Sequence, residues 1–354
     1  MKFSVKRMSL AMVVVITMFS AVPVSAHMGW TQTNSPITAI GESAYVELLV
    51  GNHTNEHRSY RVDANWGSMK HSTFVFDPSG NKIDISSTEF YTGENDPSVK
   101  NSNINNEYIA SFRANEPGAY IISAQGESVA SYSGYPTLTK RSAKSFVAVS
   151  DITNMQRVQS LRGFQRQVSP DRAEWIPLFN PAAVKPGQVL NAKYLVRGVP
   201  MADVHVNVIR RSTKDSLDLT TDKDGIVTYT AGPADYYLIA AKPELKEKVE
   251  GQYDAINFEA TMTYVIQNGT LNVKPAKVQA IPDVFLNGKE ITIPGLSYKN
   301  GVYTAPINWL KFKVSIFAEG TGNVNLRRSL EAAGFQVEQF DAVGAIPAMI
   351  VIRK

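Results

Sequence analysis

The sequence predicts a mainly β protein, with two antiparallel sandwiches followed by a small α+β module. Three observations predict it. Short runs of alternating apolar and polar residues recur along most of the chain, separated by turn residues. One turn pattern occurs twice, first as Asp77-Pro-Ser-Gly80 ahead of "EPGAYIISA" and again as Asp222-Lys-Asp-Gly225 ahead of "IVTYTAGPADYYLIAA". Beyond residue 278 the pattern changes to tight hairpins and a helix.

Residues 1–26 read as an export signal. Lys2, Lys6 and Arg7 form a basic start, "MSLAMVVVITMFSAV" an apolar middle, and "VSA" a small-residue exit. The apolar run is short for a spanning helix and no stop-transfer pattern follows it, so cleavage after Ala26 is expected rather than anchorage. The product would begin at His27, be soluble, and sit outside the cytoplasm, whether periplasmic, cell-surface or secreted. Losing Lys2, Lys6 and Arg7 takes the formal charge from +4 to +1, which leaves no nucleic-acid footprint. The chain has no cysteine, which excludes a lipidated Cys at the cleavage point, disulfide staples and thiolate metal sites.

The first sandwich is expected over 27–150. In "AYVELLV" Val46, Leu48 and Val50 alternate with Tyr45, Glu47 and Leu49, and "NEPG" supplies a tight turn between "EYIASFRA" and "AYIISAQ". Residues 151–186 carry Pro170, Pro177, Pro181 and Pro186, which interrupt regular structure and mark a connector. Strand patterns resume over 187–268, in "GQVLNAKYLVRG", "ADVHVNVIRR" and "EATMTYVIQ". In the module at 278–354, Asn287-Gly288 and Asn300-Gly301 predict two-residue hairpin turns. "NVNLRRSLEAAGFQVEQFD" reads as the one convincing helix of the exported chain, with Leu326, Leu330 and Ala333 on one face and Gly334 as its stop. "AMIVIRK" closes the module as a strand.

Four of the five histidines, His27, His53, His57 and His71, fall in the first sandwich. Cleavage after Ala26 would give His27 two nitrogen donors, a free α-amine and an imidazole. "GNHTNEH" places His53 and His57 in a polar segment after a strong strand, where loop residues converge on ligands without disturbing a core. Without thiolates, such a set suits a divalent late first-row transition metal such as nickel, cobalt, copper or zinc. Met28 and Met69 offer thioethers, although filling gaps is the commoner use of methionine. His205 alternates with Val204 and Val206 and reads as a strand residue on a solvent or inter-domain face. "DKDG" lacks the later ligands of a calcium loop and reads as a turn. No GxSxG, HExxH or GxxxxGK[ST] occurs, so no catalytic residue is named.

The start "AHMGW", the segment "ESAYVELLVGNHTNEH", the phrase "EWIPLFNPAAVKPGQVLNAKYLVRGVPMADVHVNV" and "TTDKDGIVTYTAGPADYYLIAA" resemble the domain-of-unknown-function 4198 family over roughly residues 26–267. That resemblance implies two Ig-like or transthyretin-like sandwiches and a periplasmic role in nickel or cobalt uptake. It also implies a mature N-terminal histidine and a histidine after the first long strand, which fall on His27 and His53. The tail "VFLNGKEITIPGLSYKNGVYTAPINWL" with "RRSLEAAGF" and "AMIVIRK" is similar to the N-terminal-type domain of copper amine oxidases. "APINWLKF" replaces the usual proline-then-arginine stretch, and the resemblance implies a binding or assembly module without oxidase activity.

The expected function is therefore an exported protein that captures a divalent metal ion and passes it to a membrane metal transporter. Two alternatives come from other classes: a cell-envelope interaction protein without metal, and a copper-dependent oxidative enzyme using the N-terminal histidine chelate.

Overall fold

The alternation in Ser43–Gly51 becomes a sandwich wall, because Ala44, Val46, Leu48 and Val50 turn inward. The computed structural model describes residues 28–51, 66, 69–92, 94–95, 103–104, 107–131, 134–213, 215–268, 281–316 and 320–354. Ser43–Gly51 lies between Met28–Thr33 and Tyr108–Arg113, with Phe90–Tyr91 at the far edge. Opposite it, Gly118–Ala130 pairs with Lys70–Phe76 on one side and Thr137–Ser150 on the other. Ile122, Val147 and Val149 complete the core between these sheets.

The second sandwich grows out of the first. Thr137–Ser150 runs parallel to Ala255–Ile266, in register from Thr137↔Ala255 to Lys144↔Met262. The sheet continues through Asp235–Ala241 and His205–Arg210 to Ser216–Thr220, so one ten-stranded sheet serves both halves. Strand side chains alternate between faces, and here each face has its own core. Val147 and Val149 look into the first, while Phe146 and Ala148 join Phe258, Met262, Trp175 and Tyr194 in the second. The covering sheet there is Ala173–Pro177, Val189–Val196, Val199–Pro200 and Ile226–Thr230. Its aromatic tips find partners, as buried polar atoms must. Trp175 Nε1 donates to the Ala260 carbonyl at 3.1 Å, and the Tyr194 hydroxyl to that of Phe258 at 2.6 Å.

Residues 151–186 hold more order than four prolines suggest. Asn154 caps a one-turn helix, Met155–Val158, and five residues from Ala173 to Pro177 form a full strand. The repeated Asp/Gly turns are present. Asp77 Oδ1 accepts from Asn81 N–H, and Asp222 Oδ1 from the N–H groups of Asp224 and Ile226, with Gly80 and Gly225 at φ +91° and +73°. His205 lies exposed at a strand start.

In the C-terminal module Lys289–Ile291, Asp283–Leu286, Met349–Arg353 and Gln336–Phe340 form one sheet, and Ser297–Lys299, Val302–Pro306 and Asn323–Asn325 another. Asn287-Gly288 and Asn300-Gly301 all have φ between 49° and 80°, as their two-residue turns require. The predicted helix forms as Leu326–Ala332, capped by Asn325, and Gly334 follows it at φ +83°. A second helix, Ile307–Lys313, was not expected. It is seven residues long, and only Ile307 and Leu310 mark its buried face.

The module is docked onto the rest of the chain. Phe340, Met349 and Val351 enter the core of the second sandwich. Arg157, 1 % exposed, donates to the carbonyls of Asp341 at 2.7 Å and Pro347 at 2.5 Å and is bridged to Asp151. Glu338 accepts from Ala119 N–H at 3.2 Å and from Arg353 at 2.6 Å. Among the described residues no helix is long and apolar enough to cross a membrane.

Candidate functional site

Met28 pairs with Gly51, and every residue to Thr33↔Val46 follows in antiparallel register. The Met28↔Gly51 end of this ladder is therefore where both strands leave the described sheet, one toward His27 and the other toward His53 and His57. Those three histidines lie outside the described residues. His27 is one bond from Met28, and His53 is two residues past Gly51.

A buried charge anchors this end of the ladder. Gly29 N–H donates to Glu259 Oε1 at 2.9 Å, and Glu259 is fully buried. Arg141 binds the same carboxylate through Nε and, at 3.3 Å, through Nη2, and Lys242 Nζ lies 3.3 Å from Oε2. Burial pushes this carboxyl upward, but Arg141, Lys242 and the Gly29 amide outweigh it and hold it below the ordinary glutamate value. Two hydroxyls extend the seam: Thr261 Oγ1 donates to the Gly29 carbonyl at 2.7 Å and Thr263 Oγ1 to that of Thr31 at 2.6 Å. The first strand is thus fixed to the central strand of the second sandwich.

Position 29 requires glycine because of what lies over it. A Cβ there would sit 2.9 Å from Trp66 Cζ2 and closer still to Arg141 Cδ. The Arg141 guanidinium lies 5.6 Å from the Trp66 ring centroid, and Trp66 Nε1 donates to the Leu49 carbonyl at 3.0 Å. Met69 Sδ is 3.4 Å from Arg141 Nη1, which makes Met69 a packing residue here.

His71 reaches the same end of the sandwich. Its ring stands 6.0 Å from Trp66 and 5.7 Å from Tyr108, centroid to centroid. Nε2 lies 2.8 Å from Glu89 Oε2, and Nδ1 is 3.3 Å from the Met69 carbonyl. Thr73 Oγ1 holds the other Glu89 oxygen at 2.7 Å. The hydrogen bond to Glu89 raises the His71 pKa above 6.5 despite partial burial. Ring nitrogens so engaged make His71 a proton-holding partner of Glu89 first; binding a metal would require Nδ1 to release the carbonyl. Among the described residues no group of three or more His, Asp or Glu is arranged to hold a metal ion.

Glu259, Arg141, Trp66 and Glu89 escaped the sequence reading. One signal was available: Glu259 interrupts the apolar strand "AINFEATMTYVI", and Arg141 and Lys144 interrupt "TLTKRSAKSFVAVS". Charges in strands buried on both faces need partners.

The family model for a domain of unknown function, DUF4198, matches residues 24–244, more than half of the chain. The chain belongs to the DUF4198 family. The DUF4198 region takes in the first strand, both histidine segments and most of the second sandwich. No curated protein matches the chain. Among solved structures, a DUF4785 family protein from Legionella pneumophila is 10% identical at a TM-score of 0.21, the match covering 59% of this chain and 50% of that one, so the chain spans half that protein's length. The D0-D1 domain of Intimin is 11% identical at 0.19, covering 66% and 96%. A two-domain fibronectin type III segment of chicken tenascin is 8% identical at 0.18, covering 68% and 99%. At these scores the matches carry no functional argument for a DUF4198 protein.

Proposed function

We propose that this DUF4198 protein is an exported metal-capture protein that binds a divalent transition metal, nickel or cobalt before copper or zinc, and delivers it for uptake by a membrane transporter. The observation that carries the proposal is the Met28↔Gly51 pair. It sets Met28, the chain neighbour of His27, beside Gly51, two residues before His53, and Glu259, Thr261 and Thr263 hold the Met28 strand in place. Processing after Ala26 would expose the α-amine of His27, so amine, ring and the His53 imidazole would form the nitrogen set. His57 and His71 stand as further donors, with Glu89 orienting His71 as a carboxylate commonly orients a ligating imidazole. In this proposal the C-terminal unit, similar to the copper amine oxidase N-terminal-type domain, is a binding or assembly module.

Titration of the exported protein with nickel, cobalt, copper and zinc tests the reading residue by residue. His27→Ala and His53→Ala should each weaken binding by about 10–100-fold, and His57→Ala and His71→Ala by less. Equal affinity in the wild type and the His27→Ala/His53→Ala double variant would sink the reading and leave the cell-envelope interaction role.

A further inference from the structure

A cleft of about 500 Å³ lies between the connector and the C-terminal module, far in sequence from the histidine segments. That volume suits a small-molecule ligand. One wall carries Gln159, Arg162 and Gln165, the other Tyr303 and Arg327. Among the described residues neither Arg162 nor Arg327 makes a hydrogen bond or ion pair, whereas the arginines around the docking seam are all engaged. The nearby acids are committed elsewhere. Asp341 accepts from Ser160 at 2.7 Å and Gln339 at 3.3 Å, and Glu338 belongs to Arg353. Glu331, one turn beyond Arg327 on its helix, makes no ion pair with it.

Two guanidinium groups facing one cleft repel each other, and burial of Arg327 compounds the cost. Its pKa falls below the ordinary arginine value through burial first and the Arg162 charge second, which together outweigh the pull of the Glu331, Glu338 and Asp341 charges. An anion between them would remove both penalties. Guanidinium forks match the paired oxygens of carboxylate and phosphate, and amide side chains around them suit polar, uncharged neighbouring groups.

We infer that the cleft is an oxyanion-binding site in which Arg162 and Arg327 clamp a carboxylate or phosphate group of a small polar ligand. The site exists only while the module is docked, because each wall supplies one arginine. It is independent of metal capture.

The test is calorimetric titration of the full chain with inorganic phosphate and with succinate, at constant ionic strength set by sodium chloride. Saturable binding of either anion is expected, and the tighter of the two identifies whether the natural group is a phosphate or a carboxylate. Arg162→Gln, at an exposed position, and Arg327→Gln should each weaken it about tenfold, with the fold confirmed by an unchanged circular dichroism spectrum. Heats no different from chloride for both anions, or full-strength binding by the double variant, would overturn the inference.

Discussion

Gly29 and Glu259 are joined across 230 residues by one hydrogen bond, from a backbone amide in the first strand to a carboxylate with no solvent exposure. The bond ties the start of the first sandwich to the middle of the second, at the strand that leads directly to His27.

Removing that carboxylate should be severe. Glu259→Ala leaves Arg141 and Lys242 without their shared partner inside the protein and strips Gly29 of its acceptor. Breaking a buried ion pair from one side costs about 3–5 kcal/mol. Urea unfolding at pH 7 would measure the loss. A change below about 1 kcal/mol would mean that water already reaches the site.

Acid should remove the same contribution. The folded Glu259 pKa lies below 4.5, so its stabilisation is present above the unfolded value and is lost as pH falls through the folded one. A series of melting temperatures from pH 7 downward should fall more steeply for wild type than for Glu259→Gln.

Gly29→Ala probes packing without changing charge. The added methyl meets Trp66 and Arg141, and overfilling a well-packed site costs about 1–3 kcal/mol. A melting temperature unchanged from wild type would show that Arg141 swings aside freely.

His71 gives the opposite pH signature. Its folded pKa is raised above 6.5 by Glu89, so its stabilisation is fully present below the unfolded value and is lost as pH rises through the folded one. Glu89→Gln should therefore destabilise by about 1–2 kcal/mol near pH 6, and the gap from wild type should shrink in alkaline solution. A gap that is constant from pH 6 to 9 would mean His71 carries no proton in this pair.

Cutting one docking contact should uncouple the module from the sandwiches. Arg353→Ala leaves Glu338 buried without its hydrogen-bonded cation, and Glu338, its pKa already pushed upward by burial, would take up a proton. The expected loss is about 3–5 kcal/mol, with the module separating first in a biphasic urea transition. A single transition at the wild-type midpoint would contradict the docking described.

Much of the fold was legible because its signals are local. Turns at Asp77–Gly80, Asp222–Gly225, Asn287-Gly288 and Asn300-Gly301 depend on a few neighbouring residues, and all formed as read. The helix at Leu326 was legible from its periodicity and its glycine stop. The parallel pairing of Thr137–Ser150 with Ala255–Ile266 was not, because it joins strands more than 100 residues apart and leaves no local pattern. Leu49 shows the same limit. Alternation assigns it to the solvent face, yet it is buried with Trp30, Leu238 and Ala240, because the second sandwich covers that face. At the candidate site, His71 was legible by type but its carboxylate partner was not, since Glu89 comes from a separate turn.

The most direct test of metal capture compares two versions of the chain in a nickel titration by calorimetry: one beginning at His27, the other carrying one additional residue before it. The account predicts tight one-to-one binding by the first and a loss of at least about tenfold in the second, because the extension converts the chelating amine into an amide. Equal affinity in the two forms would contradict the account, since the α-amine would then not be a ligand.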